Sequence, residues 1–113
     1  MPHVIIEYAP DLGQCHDLQD LCDQVFDALA NHPAIPEPKS LKIRVLPVSN
    51  MRTGTLVQGF AHATLLVLPR RDLVTKRDLS QTVLDVLQNV LPDIASLSVD
   101  VSDLGPAYTK RVL

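Results

Sequence analysis

The sequence predicts an α+β fold with the element order β-α-β-β-α-β, a four-stranded sheet with two helices on one face. Three observations lead there. Short β-branched or alternating runs stand at the start, twice in the middle and near the end of the chain. Two longer stretches repeat their apolar residues at helical spacing. Segments bearing proline and glycine separate them. The order is that of the split βαβ or ferredoxin-like arrangement. The 113 residues suffice for one such domain over residues 1–113, with neither disulfides nor a structural metal needed to fold it.

The first strand is His3 to Tyr8, a β-branched run stopped by Ala9-Pro10-Asp11. From about Cys15 the apolar positions Leu18, Leu21, Cys22, Val25, Phe26 and Leu29 fit a helix stripe, with aspartates on the solvated face. The helix ends near Asn31, because Pro33, Pro36 and Pro38 remove backbone donors. Cys15 and Cys22 would lie roughly 10 Å apart along its axis, beyond disulfide reach, and read as small apolar side chains. A second strand, Leu41 to Val48, alternates Leu41, Ile43 and Val45 with Lys42, Arg44 and Leu46, so its polar face is cationic. The turn-rich Ser49 to Thr55 leads into a longer strand, about Leu56 to Leu68, in which Gly59 marks a bulge or a close backbone approach. After Pro69 a second helix begins near Thr75, whose relation to Asp78 resembles a capping box, and runs to Pro92. The last strand is Ser96 to Val101, followed by a tail holding Gly105 and Pro106. A sheet covered on one side needs a partner on the other if that side is apolar. Val4, Ile6, Val67 and the alternating leucines point to an oligomer.

Composition removes several functions. The chain has 10 Lys+Arg against 13 Asp+Glu, a net charge of −3, with no basic stripe for phosphate backbones. No apolar run approaches the roughly 20 residues that span a bilayer, and no charged region with an apolar core marks a signal peptide, so the cytoplasm is expected. There is no glycine-rich phosphate loop, no Cys-x-x-Cys and no serine elbow. His3, His16, His32 and His62 are scattered rather than paired at ligand spacing, and read as surface or hydrogen-bonding histidines with no metal.

Pro2 stands apart. Loss of the initiator methionine would leave it a free secondary amine directly before a core strand. An α-amine titrates near 7.7–8, and burial or nearby cations would lower that further, making it a base at neutral pH.

The start Pro2-His3-Val4-Ile5-Ile6-Glu7-Tyr8 resembles the N-terminus of the 5-carboxymethyl-2-hydroxymuconate isomerases of the tautomerase superfamily. Phe60-Ala61-His62-Ala63-Thr64-Leu65 with the later Arg71 and Leu73 is similar to that family's Phe-x-His-x-Thr-Leu segment and its downstream arginine. Lys42-Ile43-Arg44-Val45 falls where the family has two basic residues one position apart, and Pro106-Ala107-Tyr108-Thr109-Lys110 is similar to its tail. The resemblance implies the same β-α-β-β-α-β fold assembled as a homotrimer, with Pro2 as general base and Lys42, Arg44 and Arg71 holding the carboxylates of a small-molecule substrate. It implies that no cofactor is required, while charge and composition already leave no nucleic-acid or membrane partner expected. The implied reaction moves a proton and a double bond in an unsaturated 2-hydroxy or 2-oxo polycarboxylate.

The chain also departs from the family pattern. Leu46-Pro47 replace aromatic or histidine side chains, Lys42 offers a point charge where an arginine fork is expected, Arg70 replaces a glycine, and the tail is short. Two other readings stay open: a tautomerase for a smaller 2-oxo acid such as an aryl pyruvate, and a trimeric binding module without catalysis.

Overall fold

The computed structural model describes residues 2–113, so the expected loss of Met1 lies outside the described residues. Its elements are β1 (His3–Ala9), α1 (Leu18–Ala30), β2 (Lys42–Pro47), β3 (Phe60–Val67), α2 (Leu73–Val90) and β4 (Ser96–Asp103), with one 3-10 turn at Pro38–Ser40 before β2. The class and element order expected from the sequence hold. The strands lie in the order β2-β1-β3-β4. β1 pairs parallel with β2 and β3 parallel with β4, while β1 and β3 run antiparallel in the centre. Neither βαβ unit is therefore split by an intervening strand. Each helix connects two adjacent parallel strands, the crossover that parallel pairing requires.

The phase of alternation decides which side is core. Val4, Ile6 and Tyr8 of β1 and Ala61, Ala63, Leu65 and Val67 of β3 face the helices. They meet Leu21, Val25 and Leu29 of α1 and Leu79, Val83 and Leu87 of α2, the residues that the 3.6-residue period places on one stripe. Full burial of each such side chain contributes about 1.5–3 kcal/mol. Ile43 and Val45 extend this layer on β2, and Leu97, Val99 and Val101 do so on β4. Among the described residues no helix is long and apolar enough to cross a membrane.

The uncovered face is a different surface from the one expected. Val4, Ile6 and Val67 are 0% exposed beneath the chain's own helices, so they do not argue for an outside partner. The open face instead carries rows that follow the register: Lys42, His3, Leu66 and Ser102, then Arg44, Ile5, Thr64 and Asp100, then Leu46, Glu7, His62 and Ser98. Cations line the β2 edge and serines with Asp100 line the β4 edge.

Several boundaries move for local reasons. Asp17 accepts the Asp20 N–H and caps α1, so Cys15 precedes the helix and Phe26 falls at the half-exposed margin of its stripe. Both cysteines are free. Asp72, not Thr75, caps α2 by accepting the Thr75 N–H at 2.8 Å, an interaction that holds its carboxyl below the usual carboxylate range. β3 starts at Phe60 because Leu56 and Val57 lie in an exposed loop tied by Thr53, whose hydroxyl donates to the Leu56 carbonyl. Gly59 is a close approach: a Cβ there would stand 2.9 Å from the Ala9 carbonyl oxygen and the Asp11 nitrogen.

Candidate active site

The antiparallel β1–β3 pairing brings the start of β1, the start of β2, and the ends of β3 and β4 to one end of the sheet. Pro2 sits there, fully buried, and its carbonyl accepts the Lys42 N–H at 3.1 Å, extending the β1–β2 ladder by one step. The fixed proline φ and this bond hold the residue rigidly at the head of the strand.

Beside it on the open face stand Lys42 and Arg44, both exposed as expected for the outward residues of an edge strand. The Lys42 ammonium donates to the Ser40 carbonyl at 3.3 Å. Arg44 places Nη1 3.3 Å from His3 Nδ1. A guanidinium only donates, so Nδ1 carries the lone pair and the ring proton of a neutral imidazole sits on Nε2. That nitrogen lies 3.2 Å from the Tyr108 hydroxyl, which accepts from it, and the two rings meet edge to face at 6.0 Å. Burial, then Arg44, and to a smaller degree Lys42, hold His3 below its ordinary value of 6.5. The imidazole is thus the neutral centre of a cationic corner.

Arg71 has a different setting. Its Nε and Nη2 donate to the Ala34 carbonyl at 3.2 and 2.7 Å, and Nη1 reaches the Leu68 carbonyl at 3.4 Å. The side chain staples the α1–β2 connection to the β3–α2 connection. It lines an open cleft of about 910 Å³ between those connections, in which His32 also bridges to Asp78. Pro2, Lys42 and Arg44 do not line that cleft. The four residues therefore share one end of the sheet, but within this chain they do not converge on one cavity.

The remaining histidines are engaged. His62 Nδ1 meets the Ser98 hydroxyl at 2.7 Å on the open face. At the opposite end of β1, the Tyr8 hydroxyl lies 2.6 Å from His16 Nδ1, and His16 Nε2 lies 2.6 Å from Asp93 Oδ1. The sequence reading missed this chain of three because Tyr8 and His16 lie on either side of a turn and Asp93 comes from a distant segment. Among the described residues no group of three or more His, Cys, Asp or Glu side chains is arranged to hold a metal.

The sequence model of the family described as 5-carboxymethyl-2-hydroxymuconate isomerase matches residues 2–109. The chain belongs to this family. By that membership it is an isomerase. No curated protein sequence matches it. Among solved structures, it is similar to a 5-carboxymethyl-2-hydroxymuconate delta-isomerase, with a TM-score of 0.84 and 16% identity over 99% of this chain and 88% of the other. It is also similar to a 5-carboxymethyl-2-hydroxymuconate isomerase from Deinococcus radiodurans R1, with a TM-score of 0.83 and 19% identity over 98% and 88%. A fused wild-type 4-OT asymmetric trimer superposes with a TM-score of 0.70 at 17% identity, over 90% of this chain and 85% of that one. At these identities the structures establish the tautomerase fold, while the family match over nearly the whole chain carries the isomerase assignment.

Proposed function

We propose that this isomerase acts without a cofactor on an unsaturated 2-hydroxy or 2-oxo polycarboxylate of the hydroxymuconate type, with Pro2 as its general base. The observation that supports this most is the placement of Pro2, buried at the head of β1 and bonded through its carbonyl to Lys42, beside the cationic corner of Lys42 and Arg44. Burial and neighbouring cations both disfavour an ammonium, so the nitrogen released by loss of Met1 is set to be neutral and basic at physiological pH. It takes the proton of the substrate's 2-hydroxyl. The oxygen's electrons close to a carbonyl, the double bond shifts along the chain, and the prolinium returns the proton to the conjugated carbon. Atoms balance with no further reactant.

Lys42 and Arg44 hold the carboxylates and stabilise the charge that develops on oxygen. Arg71 joins them through Nη1, whose contact to the Leu68 carbonyl is the longest of its three and the most readily exchanged for a carboxylate. Because Arg71 and the β2 cations face different spaces within one chain, the complete pocket forms between copies. A homotrimer would provide it, and the fused 4-OT neighbour, described as a trimer, supports that assembly. The proposed location is the cytoplasm.

The test is ketonisation of a 2-hydroxymuconate followed against pH, with the N-terminal mass determined on the same sample. Pro2→Ala is expected to keep the fold and lose at least about a hundredfold in kcat/KM. A Pro2→Ala protein as active as its parent, or no rate above buffer with Pro2 confirmed free, overturns the reading. The exposed Leu46 of β2, an apolar side chain on the open face, favours a second reading: a smaller 2-oxo acid with an aryl group. A panel of enol substrates separates the two.

A further inference from the structure

The C-terminal tail returns to the Pro2 end of the sheet. Leu104 donates to the Val67 carbonyl at 2.7 Å, and Tyr108 donates through its backbone to Gly105 at 3.1 Å, closing a turn. From this turn the Tyr108 side chain reaches His3, two strands in from the β4 edge where the tail begins. The link Arg44–His3–Tyr108 thus joins the cationic edge strand to the tail. Its donors run in one direction. Arg44 donates to Nδ1, Nε2–H donates to the Tyr108 oxygen, and the phenol hydrogen is left facing outward from the link.

We infer that His3 and Tyr108 are positioning and specificity residues of the carboxylate site, His3 fixing the Arg44 guanidinium and Tyr108 adding a neutral donor from the tail. The inference rests on the carboxylate-binding role proposed above for Arg44. A planar guanidinium held at one edge presents its other edge to a carboxylate with less freedom to lose. The tail then acts as a wall that recognises the carboxylate end of the substrate, rather than as a loose terminus. Around His3 the charged groups are Arg44 and Lys42 on β2, whereas β3 presents the uncharged Leu66 across the register. Protonation of His3 would put a second hydrogen between Nδ1 and Nη1 and break the link. The grip on the carboxylate is therefore lost as pH falls below the imidazole range.

Steady-state kinetics on the parent, His3→Asn, His3→Phe, Tyr108→Phe and the double variant His3→Asn with Tyr108→Phe test this. They are joined by calorimetric binding of cis,cis-muconate as a dicarboxylate probe. Asparagine keeps an acceptor where Nδ1 stands but does not reach Tyr108, and phenylalanine keeps neither bond. Tyr108→Phe and His3→Asn are each expected to raise KM and the muconate Kd by about five- to tenfold, with kcat within about twofold. The double variant should be no worse than His3→Asn alone, His3→Phe should be worse than either, and the loss of affinity toward acid pH should disappear in His3→Asn. Unchanged KM and Kd in Tyr108→Phe, or single effects that multiply in the double variant, overturn the inference. Should the parent bind muconate but show no isomerisation, the proposed reaction fails. Weaker muconate binding by Tyr108→Phe would then still support the site, and unchanged binding would overturn it.

Discussion

The two ends of β1 each join a histidine to a tyrosine, and the comparison separates a site from a strut. At the Tyr8 end, Asp93 accepts from His16 Nε2–H, so His16 Nδ1 accepts from the Tyr8 hydroxyl. The Tyr8 hydroxyl and both ring nitrogens of His16 are matched inside the protein, and burial, first among the causes, pushes the Tyr8 phenol above its ordinary value. At the Pro2 end the partner is a cation, the donors run the opposite way, and the groups at both ends of the link, Arg44 and Tyr108, keep hydrogens to offer outward. A carboxylate at the end of one link closes it. A guanidinium at the end of the other leaves it open to an anion.

The largest effect should come from breaking the closed link. His16→Leu leaves the buried Tyr8 hydroxyl without its acceptor, a loss of about 2 kcal/mol, which corresponds to a Tm lower by roughly 8 °C for a chain of this size. Ketonisation at 20 °C should be unaffected, because His16 lies at the far end of the strand from Pro2. His3→Asn should show the converse, with a Tm within a few degrees of the parent and a raised KM. Matching thermal melts with kinetics checks both; equal Tm losses in the two variants would erase the distinction.

A smaller effect distinguishes the two arginines. Arg71→Met removes the staple to the Ala34 carbonyl, and we expect a cost of about 1 kcal/mol, or roughly 4 °C in Tm, together with a raised KM. Arg44→Met, exposed on its edge strand, should raise KM with the melt almost unmoved. A stability loss without any kinetic change in Arg71→Met would make that residue purely structural.

The element order was legible because a 3.6-residue and a 2-residue period are different signals, and the chain keeps them distinct. Strand order was not, since no periodicity in one chain says whether β2 sits beside β1 or beyond β3. Leu56 and Val57 read as strand for the same reason: an apolar pair looks alike in a ladder and in an exposed loop. Pairing ends there at a loop tied by Thr53, with Gly59 in close approach to Ala9 and Asp11, and the sequence marks these only as a threonine and a glycine. Of the site, Pro2 at a strand start and the outward phase of Lys42 and Arg44 were readable, but their closeness depends on β2 lying beside β1, and only the family resemblance grouped them. The bonds of Arg71 were not, because its acceptors are backbone carbonyls that have no residue signature. Tyr108 carried a faint signal as one of only two tyrosines, standing in a short tail that otherwise has no reason to hold an aromatic ring.

The smallest effect is in the pH dependence of stability, and it divides the two ends by sign and range. The hydrogen bond from His16 holds the Asp93 carboxyl below its ordinary value of 3.8. Its contribution is complete above that value and is lost as pH falls through the lower folded one, because only then does the native state take up the proton. The folded His3 imidazole also lies below its ordinary 6.5, so at pH 8 neither state is protonated and nothing is gained. As pH falls past 6.5 the unfolded chain binds the proton first, and stability declines until the folded ring titrates as well. Tm measured from pH 8 to 3 should therefore fall in two steps. His3→Asn removes the step that begins near 6.5 and leaves the acid one. His16→Leu makes the acid step shallower, though not absent, because the Asp72 cap of α2 also holds its carboxyl low and persists. The opposite pairing, with the acid step moved by His3 and the near-neutral step by His16, would mean that the two links have been assigned to the wrong ends.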